Sequence, residues 1–220
     1  MSHFSTHVPP ERPPFGRAAA VLFDCDGTLV DTMGLHFQAW RAAFARHGVD
    51  RFLERGEYLA LGGVPGEEIV RRICERDGIT LDCEAVLCDK RQRVRDLLPS
   101  AGVLRPAACW AVWCAGKGVP MAVVSGGTRR IVLATLEAAG LAGLFSGRPV
   151  VGAEDTPRGK PHPAPFLLAA EKLGVPPAEC VAVEDAPPGL EAARAAGMQV
   201  IDIRGFHPEP LARTESHQTS

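Results

Sequence analysis

Five short apolar runs recur along the chain: AAAVLF (18–23), VPMAVVS (119–125), RPVVGA (148–153), CVAVED (180–185) and QVIDI (199–203). None alternates strictly with polar residues, the pattern expected of strands covered on both faces. Helical stretches separate most of them. In PFLLAAEKLG, Phe166, Ala170 and Leu173 fall at i, i+4 and i+7, and Gly174 ends the stretch. PGLEAARAAG has the same layout, with Pro188 near its start and Gly197 past its end. Strand alternating with helix predicts an α/β chain built on a doubly wound parallel sheet.

The stretch from Met33 to Val103 breaks this rhythm. Its pattern is helical with no convincing strand: Phe37, Trp40 and Phe44 share one face, as do Val70, Ile73 and Cys74, and LDCEAVLCDKRQRVRDLL (81–98) reads as a charged amphipathic helix. An insertion of roughly seventy residues is too long for a loop. The expected organisation is a discontinuous core over 18–32 and 104–206, a helical cap over 33–103, a loose proline-rich arm over 1–17 and a polar tail over 207–220.

Bulk properties narrow the function classes. With 46% hydrophobic residues the chain can bury a sizeable core. A formal net charge of −2, with no long basic run, argues against nucleic acid or an acidic membrane surface as partner. There is no apolar leader and no apolar run of the roughly eighteen residues a membrane span needs. The seven cysteines are odd in number and lack C-x-x-C pairs, which disfavours a zinc site and fits reduced thiols. The expectation is a cytoplasmic protein, and a monomer, since no surplus apolar face is evident.

Ligands of such a sheet bind beyond the carboxyl ends of its strands. The first run exits into Asp24 and Asp26, followed by Gly27 and Thr28; the second into Ser125 and the Gly126–Gly127 turn; the fourth into Glu184 and Asp185. Lys160 stands in RGKPHP, just before the helix leading to that fourth run. Carboxylates crowded at one edge repel unless a cation compensates, and magnesium prefers such hard oxygen donors. Lysine and glycine-turn N–H groups suit a phosphate dianion. The set points to phosphoryl chemistry.

DCDGT, VVSGG, GKPHP and VEDAPPGLEAARAAG resemble, in order, the four motifs of the haloacid dehalogenase superfamily, and the helical insertion resembles its first cap class; the match spans roughly residues 18–203. The resemblance implies that Asp24 forms an aspartyl-phosphate and that Asp26 protonates the leaving group and later activates water. It implies that Ser125, Gly126 and Lys160 hold the phosphoryl group. Magnesium would be held by Asp24, the backbone carbonyl of Asp26, Asp185 and Glu184. DTMGLHFQAW is similar to the branch of β-phosphoglucomutase and the sugar-phosphate phosphatases, which makes His36 and Lys90 candidates for contacting substrate from the cap. Mutases of that branch carry an arginine soon after the glycine of LGGVPGEEIV; here Pro65 and Gly66 stand there. The expected function is a magnesium-dependent phosphatase of a small phosphorylated metabolite, a sugar phosphate foremost. A phosphomutase and an idle phosphate-binding regulatory protein are the alternatives.

Overall fold

A computed structural model of the protein describes residues 13–62 and 64–206. In chain order the elements are β1 (Ala20–Phe23), β2 (Val30–Asp31), α1 (Met33–Arg46), α2 (Arg55–Leu59), α3 (Gly66–Asp77), α4 (Cys83–Leu97), β3 (Gly102–Val103), α5 (Arg105–Lys117), β4 (Met121–Val124), α6 (Arg129–Ala138), α7 (Ala142–Phe145), β5 (Val150–Val151), α8 (Ala164–Leu173), β6 (Cys180–Glu184), α9 (Pro187–Ala195) and β7 (Gln199–Asp202).

The five apolar runs are the five strands of one parallel sheet, ordered β5-β4-β1-β6-β7. Val21 pairs with Met121 on one side and Val181 on the other. The two-residue period of the strands sorts their side chains. Val21, Phe23, Met121, Val123, Val181 and Val183 face a cluster completed by α5, α6 and α7. Ala20, Leu22, Ala122, Val124 and Ala182 face α8 and α9, whose buried stripes are rich in alanine and approach the sheet closely. The doubly wound architecture read from the sequence is thus the observed one, and it makes β1, flanked by β4 and β6, the point where the winding changes direction.

Helices α1 to α4 gather a separate apolar cluster around Trp40, Phe44, Phe52, Ile73 and Val86. The Trp40, Phe44 and Phe52 rings stack, with centroids 5.2 to 6.2 Å apart. The chain leaves the sheet along β2 and returns along β3, and these two short strands pair antiparallel, Val30 with Val103 and Asp31 with Gly102. A two-residue strand carries no periodicity, so the stretch expected to be strand-free holds one at its end.

The loose arm expected over 1–17 needs correction where it is described. Phe15 is buried and packs edge-on against Phe23, Trp110 and Trp113. Its burial joins residues 13–17 to the core, because one aromatic ring outweighs the polar, proline-rich setting around it. The remainder of that arm, and the tail over 207–220, lie outside the described residues. No helix among the described residues is long and apolar enough to cross a membrane, and all seven cysteines are free.

Candidate active site

Parallel strands share one carboxyl edge, so β1, β4 and β6 deliver Asp24, Ser125 and the Glu184–Asp185 pair to the same place. Lys160 reaches it from the segment between β5 and α8, with Nζ 2.7 Å from Asp24 Oδ1, 2.5 Å from Glu184 Oε1 and 3.0 Å from the carbonyl oxygen of Val124. Both ends of this network are buried, Lys160 at 2% exposure and Glu184 at 1%. Glu184 Oε2 accepts from the backbone N–H groups of Asp185 and Ala186. Gly189 makes room for this arrangement, since a Cβ there would stand 1.7 Å from Glu184 Oε1.

Asp26 is turned away from that network. Its Oδ1 accepts from Thr32 Oγ1 at 2.7 Å and meets His36 Nε2 at 3.1 Å, and its Oδ2 accepts from Ser125 Oγ at 3.1 Å. His36 Nδ1 faces Lys90 Nζ at 2.9 Å, which places the ring proton on Nε2, donated to Asp26. Ser125 Oγ also accepts from the Gly127 N–H at 3.0 Å. Thr28 Oγ1 donates to Asp185 Oδ1 at 3.0 Å. Gly27, with φ of +95°, passes so close to Asp185 that a Cβ would lie 2.4 Å from Oδ2.

These contacts set the protonation states. Burial raises Asp24 well above the usual carboxylate range; Lys160 opposes this, while the charges of Glu184, Asp185 and Asp26 add to it. Asp185 is pushed up to about 7, by burial first and by Glu184 second. Burial would raise Asp26 too, but His36, Thr32 and the charge of Lys90 outweigh it and hold this carboxylate well below its ordinary value. His36 is pulled down by burial and by Lys90. Burial brings Lys90 down to about 8, while Asp24 and Glu184 overcome burial and hold Lys160 above its usual value.

A cavity of about 80 Å³ opens over this edge, with Asp24, Asp26 and Ser125 on the sheet side and His36, Tyr58 and Lys90 on the helical side; Gly126 also borders it. All nine residues singled out from the sequence therefore come together, Lys160 lying just beneath the surface and the others on or beside the cavity. Residues 18–197 match the haloacid dehalogenase-like hydrolase family. The chain belongs to it. It is 37% identical to the fructose-1-phosphate phosphatase YqaB of Escherichia coli K12, over 86% of this chain and 98% of that protein. It is 34% identical to hexitol phosphatase A of the same organism, over 85% and 83%. Among solved structures it superposes on CbbY from Rhodobacter sphaeroides, solved with phosphate, with a TM-score of 0.74 and 30% identity over 83% and 84% of the two chains.

For a haloacid dehalogenase-like hydrolase, the acidic edge can be tested against a metal directly. Asp24, Glu184 and Asp185 each offer a carboxylate oxygen, all within 4.8 Å of one another. Asp24 Oδ2 is buried with no hydrogen-bond partner among the described residues. An orphaned carboxylate oxygen beside a second acid is costly by itself and is what a hard divalent cation satisfies. The residues fit magnesium. Glu184 is the donor with least to spare, because Lys160 and two backbone N–H groups already engage both of its oxygens.

Three contributors escaped the sequence reading. Thr32 sits six residues after Asp26, visible only as the threonine before a helix. Tyr58 lines the cavity although its setting in the sequence marks it only as one more aromatic. Phe166, assigned to the core face of α8, also places its ring 5.2 Å from Lys160 Nζ.

Proposed function

We propose that the protein is a magnesium-dependent phosphatase that hydrolyses a small sugar phosphate through an aspartyl-phosphate on Asp24, with residues 33–103 acting as a cap over the core of 18–32 and 104–206. One observation carries this reading: Lys160 holds one oxygen of Asp24 while the other stays buried and unpartnered, beside a second aspartate engaged elsewhere. A carboxylate serving only to pair with lysine has no reason to keep an oxygen bare. The named activities of the two Escherichia coli relatives support a sugar or sugar-alcohol ester.

Asp24, Asp185 and the backbone carbonyl of Asp26 would hold magnesium, with Glu184 helping; when bound, the ion supplies the positive charge that lets a carboxylate approach a phosphate dianion. Lys160, Ser125 and the Gly126 turn orient the phosphoryl group. Asp24 forms its bond to phosphorus as the ester P–O bond breaks, and Asp26 gives its proton to the departing alkoxide. Asp26 then takes a proton from water as that water attacks phosphorus and frees Asp24, releasing phosphate. The donors of Thr32, His36 and Ser125 favour the anionic, base form of Asp26. A phosphate dianion arriving beside it raises its proton affinity, which prepares the acid half of the cycle.

Retaining a second phosphate, as a mutase must, needs a further cation; beside Gly66 the wall is Trp40, Val64 and Ile69, and Lys90, over the Trp40 ring, is already engaged by His36. The test is phosphate release from a panel of phosphorylated metabolites with magnesium, in the wild type and Asp24→Asn. Turnover lost in the variant supports the reading. No release from any ester, or efficient conversion of β-glucose 1-phosphate to the 6-phosphate, refutes it.

A further inference from the structure

The chain's single tyrosine stands in the wall of this cavity. Tyr58 is 5% exposed, its ring centroid 5.5 Å from that of Phe37 and 6.0 Å from that of Phe52. Phenylalanine would pack equally well there, so it is the hydroxyl that needs a reason. No described residue hydrogen-bonds it, and unlike Asp24 Oδ2 it is not a fully buried atom, so it keeps surface open to the cavity and is free to bond what binds there. Burial and the charge of Asp26 hold its ionisation well above the usual value, so the hydroxyl is neutral and able to donate.

The other groups of this wall narrow what could claim that hydroxyl. Met33, Leu61, Val64 and Ile69 make the nearby wall apolar. His36 and Lys90 are committed to each other and to Asp26, and the Lys90 ammonium lies 5.2 Å from the Trp40 ring centroid. The Tyr58 hydroxyl is thus a polar group of the helical side that no described residue has claimed.

We infer that Tyr58 is a specificity-determining residue whose hydroxyl hydrogen-bonds a hydroxyl of the leaving group, so that the preferred esters are phosphates of polyhydroxylated carbon skeletons. The inference rests on the phosphatase reading above. Its logic is that a site built to bond a substrate hydroxyl discriminates against the analogue lacking it, because the protein group is then stranded.

The experiment is a cycle of two proteins and three kinds of ester. Wild type and Tyr58→Phe are each assayed with a hexitol phosphate, its singly deoxygenated analogues and a hydroxyl-free aryl phosphate. The expected result is that the ratio of kcat/KM for hexitol phosphate to that for aryl phosphate falls about tenfold in the variant, mainly through KM. One deoxy analogue should show the same loss in the wild type and little more in the variant. An unchanged ratio, or no deoxy position coupled to Tyr58, overturns the assignment while leaving the phosphatase reading intact. Failure of the wild type on every ester sinks that reading and the assignment with it. A second measurement needs no change at position 58: in Asp24→Asn, hexitol phosphate should shift the near-ultraviolet tyrosyl band and a simple alkyl phosphate should not. Equal shifts, or none, count against the assignment.

Discussion

Lys160 Nζ and Glu184 Oε1 lie 2.5 Å apart in a region closed to solvent, and the same ammonium reaches Asp24 on its other side. A buried cation between two carboxylates is held in place by both, so removing either anion leaves charge unbalanced in a medium that solvates it poorly. Glu184→Ala should destabilise the fold by about 3 kcal/mol, the lower end for breaking a buried pair because Asp24 remains. Gly189→Ala should reproduce part of that loss without touching a charge, since its methyl would occupy the position of the Glu184 carboxylate. Urea unfolding of the two variants is the check; a Gly189→Ala protein as stable as wild type would mean that Glu184 can move freely.

The Asp26–His36 contact predicts a dependence on leaving group. Thr32 and His36 fix the carboxylate that is proposed to protonate the departing alkoxide. Asp26→Asn should lower kcat for a sugar phosphate by about 10² to 10⁴, the range for losing a positioned acid–base group. For p-nitrophenyl phosphate, whose leaving group needs little protonation, the loss in the first phosphoryl transfer should be far smaller, although the hydrolysis that follows still needs Asp26 as base. His36→Ala should show the same contrast more weakly, since the carboxylate remains but is no longer oriented. Release of the alcohol or of nitrophenolate in the first turnover, ahead of the hydrolysis common to both esters, reads this directly, and equal losses there would count against Asp26 as the acid.

Much of this arrangement was legible in the sequence for a topological reason. Once valine-rich runs alternate with helices, a parallel sheet follows, and the carboxyl ends of its strands fall on one edge whatever the loops do. Asp24, Ser125, Glu184 and Asp185 are each placed by that rule alone. What stayed hidden depends on packing between distant segments. In α4, Val86, Lys90 and Val94 are spaced by four and share a face, but the surrounding charged residues mask the stripe, and no local pattern ties Lys90 to His36. Tyr58 is brought to the cavity by the ring cluster of Phe37 and Phe52, which no local pattern specifies. The β2–β3 pair is too short to leave a signature.

Asp185 gives the metal-free protein a pH dependence whose sign can be worked out. Its folded value is about 7, against about 4 for an exposed aspartate in the unfolded chain. Between those values the folded state binds more protons. The contribution of this group is therefore fully present below about pH 4 and lost as pH rises through about 7. With magnesium the trend should reverse, because the ion binds the ionised carboxylates and displaces the proton. Thermal melts from pH 5 to 8, with EDTA or with magnesium, should show the stabilisation by metal growing across this range. A metal effect independent of pH would mean that Asp185 is already ionised in the free protein.

Phe166 tests whether the floor beneath Lys160 matters to catalysis as well as to folding. The ring is fully buried among Ala20, Leu22 and the alanines of α8, and its face receives the Lys160 ammonium at 5.2 Å. Phe166→Ala should cost about 3–5 kcal/mol, the range for emptying an aromatic site in a close-packed core. Phe166→Leu separates the two contributions: most of the volume stays while the ring face is lost. A desolvated cation–π contact is worth about 2 kcal/mol, and with it goes one constraint on where Nζ sits between Asp24 and Glu184. The leucine variant should therefore remain folded at 25 °C yet turn over sugar phosphate more slowly, with kcat falling more than KM rises. That split follows because Lys160 is placed to act on the charge shared by Asp24 and the transferring phosphoryl group, which is greatest during transfer. Melting curves together with kcat and KM of the leucine variant decide the matter, and a stable Phe166→Leu protein with unchanged kcat would restrict the ring to packing.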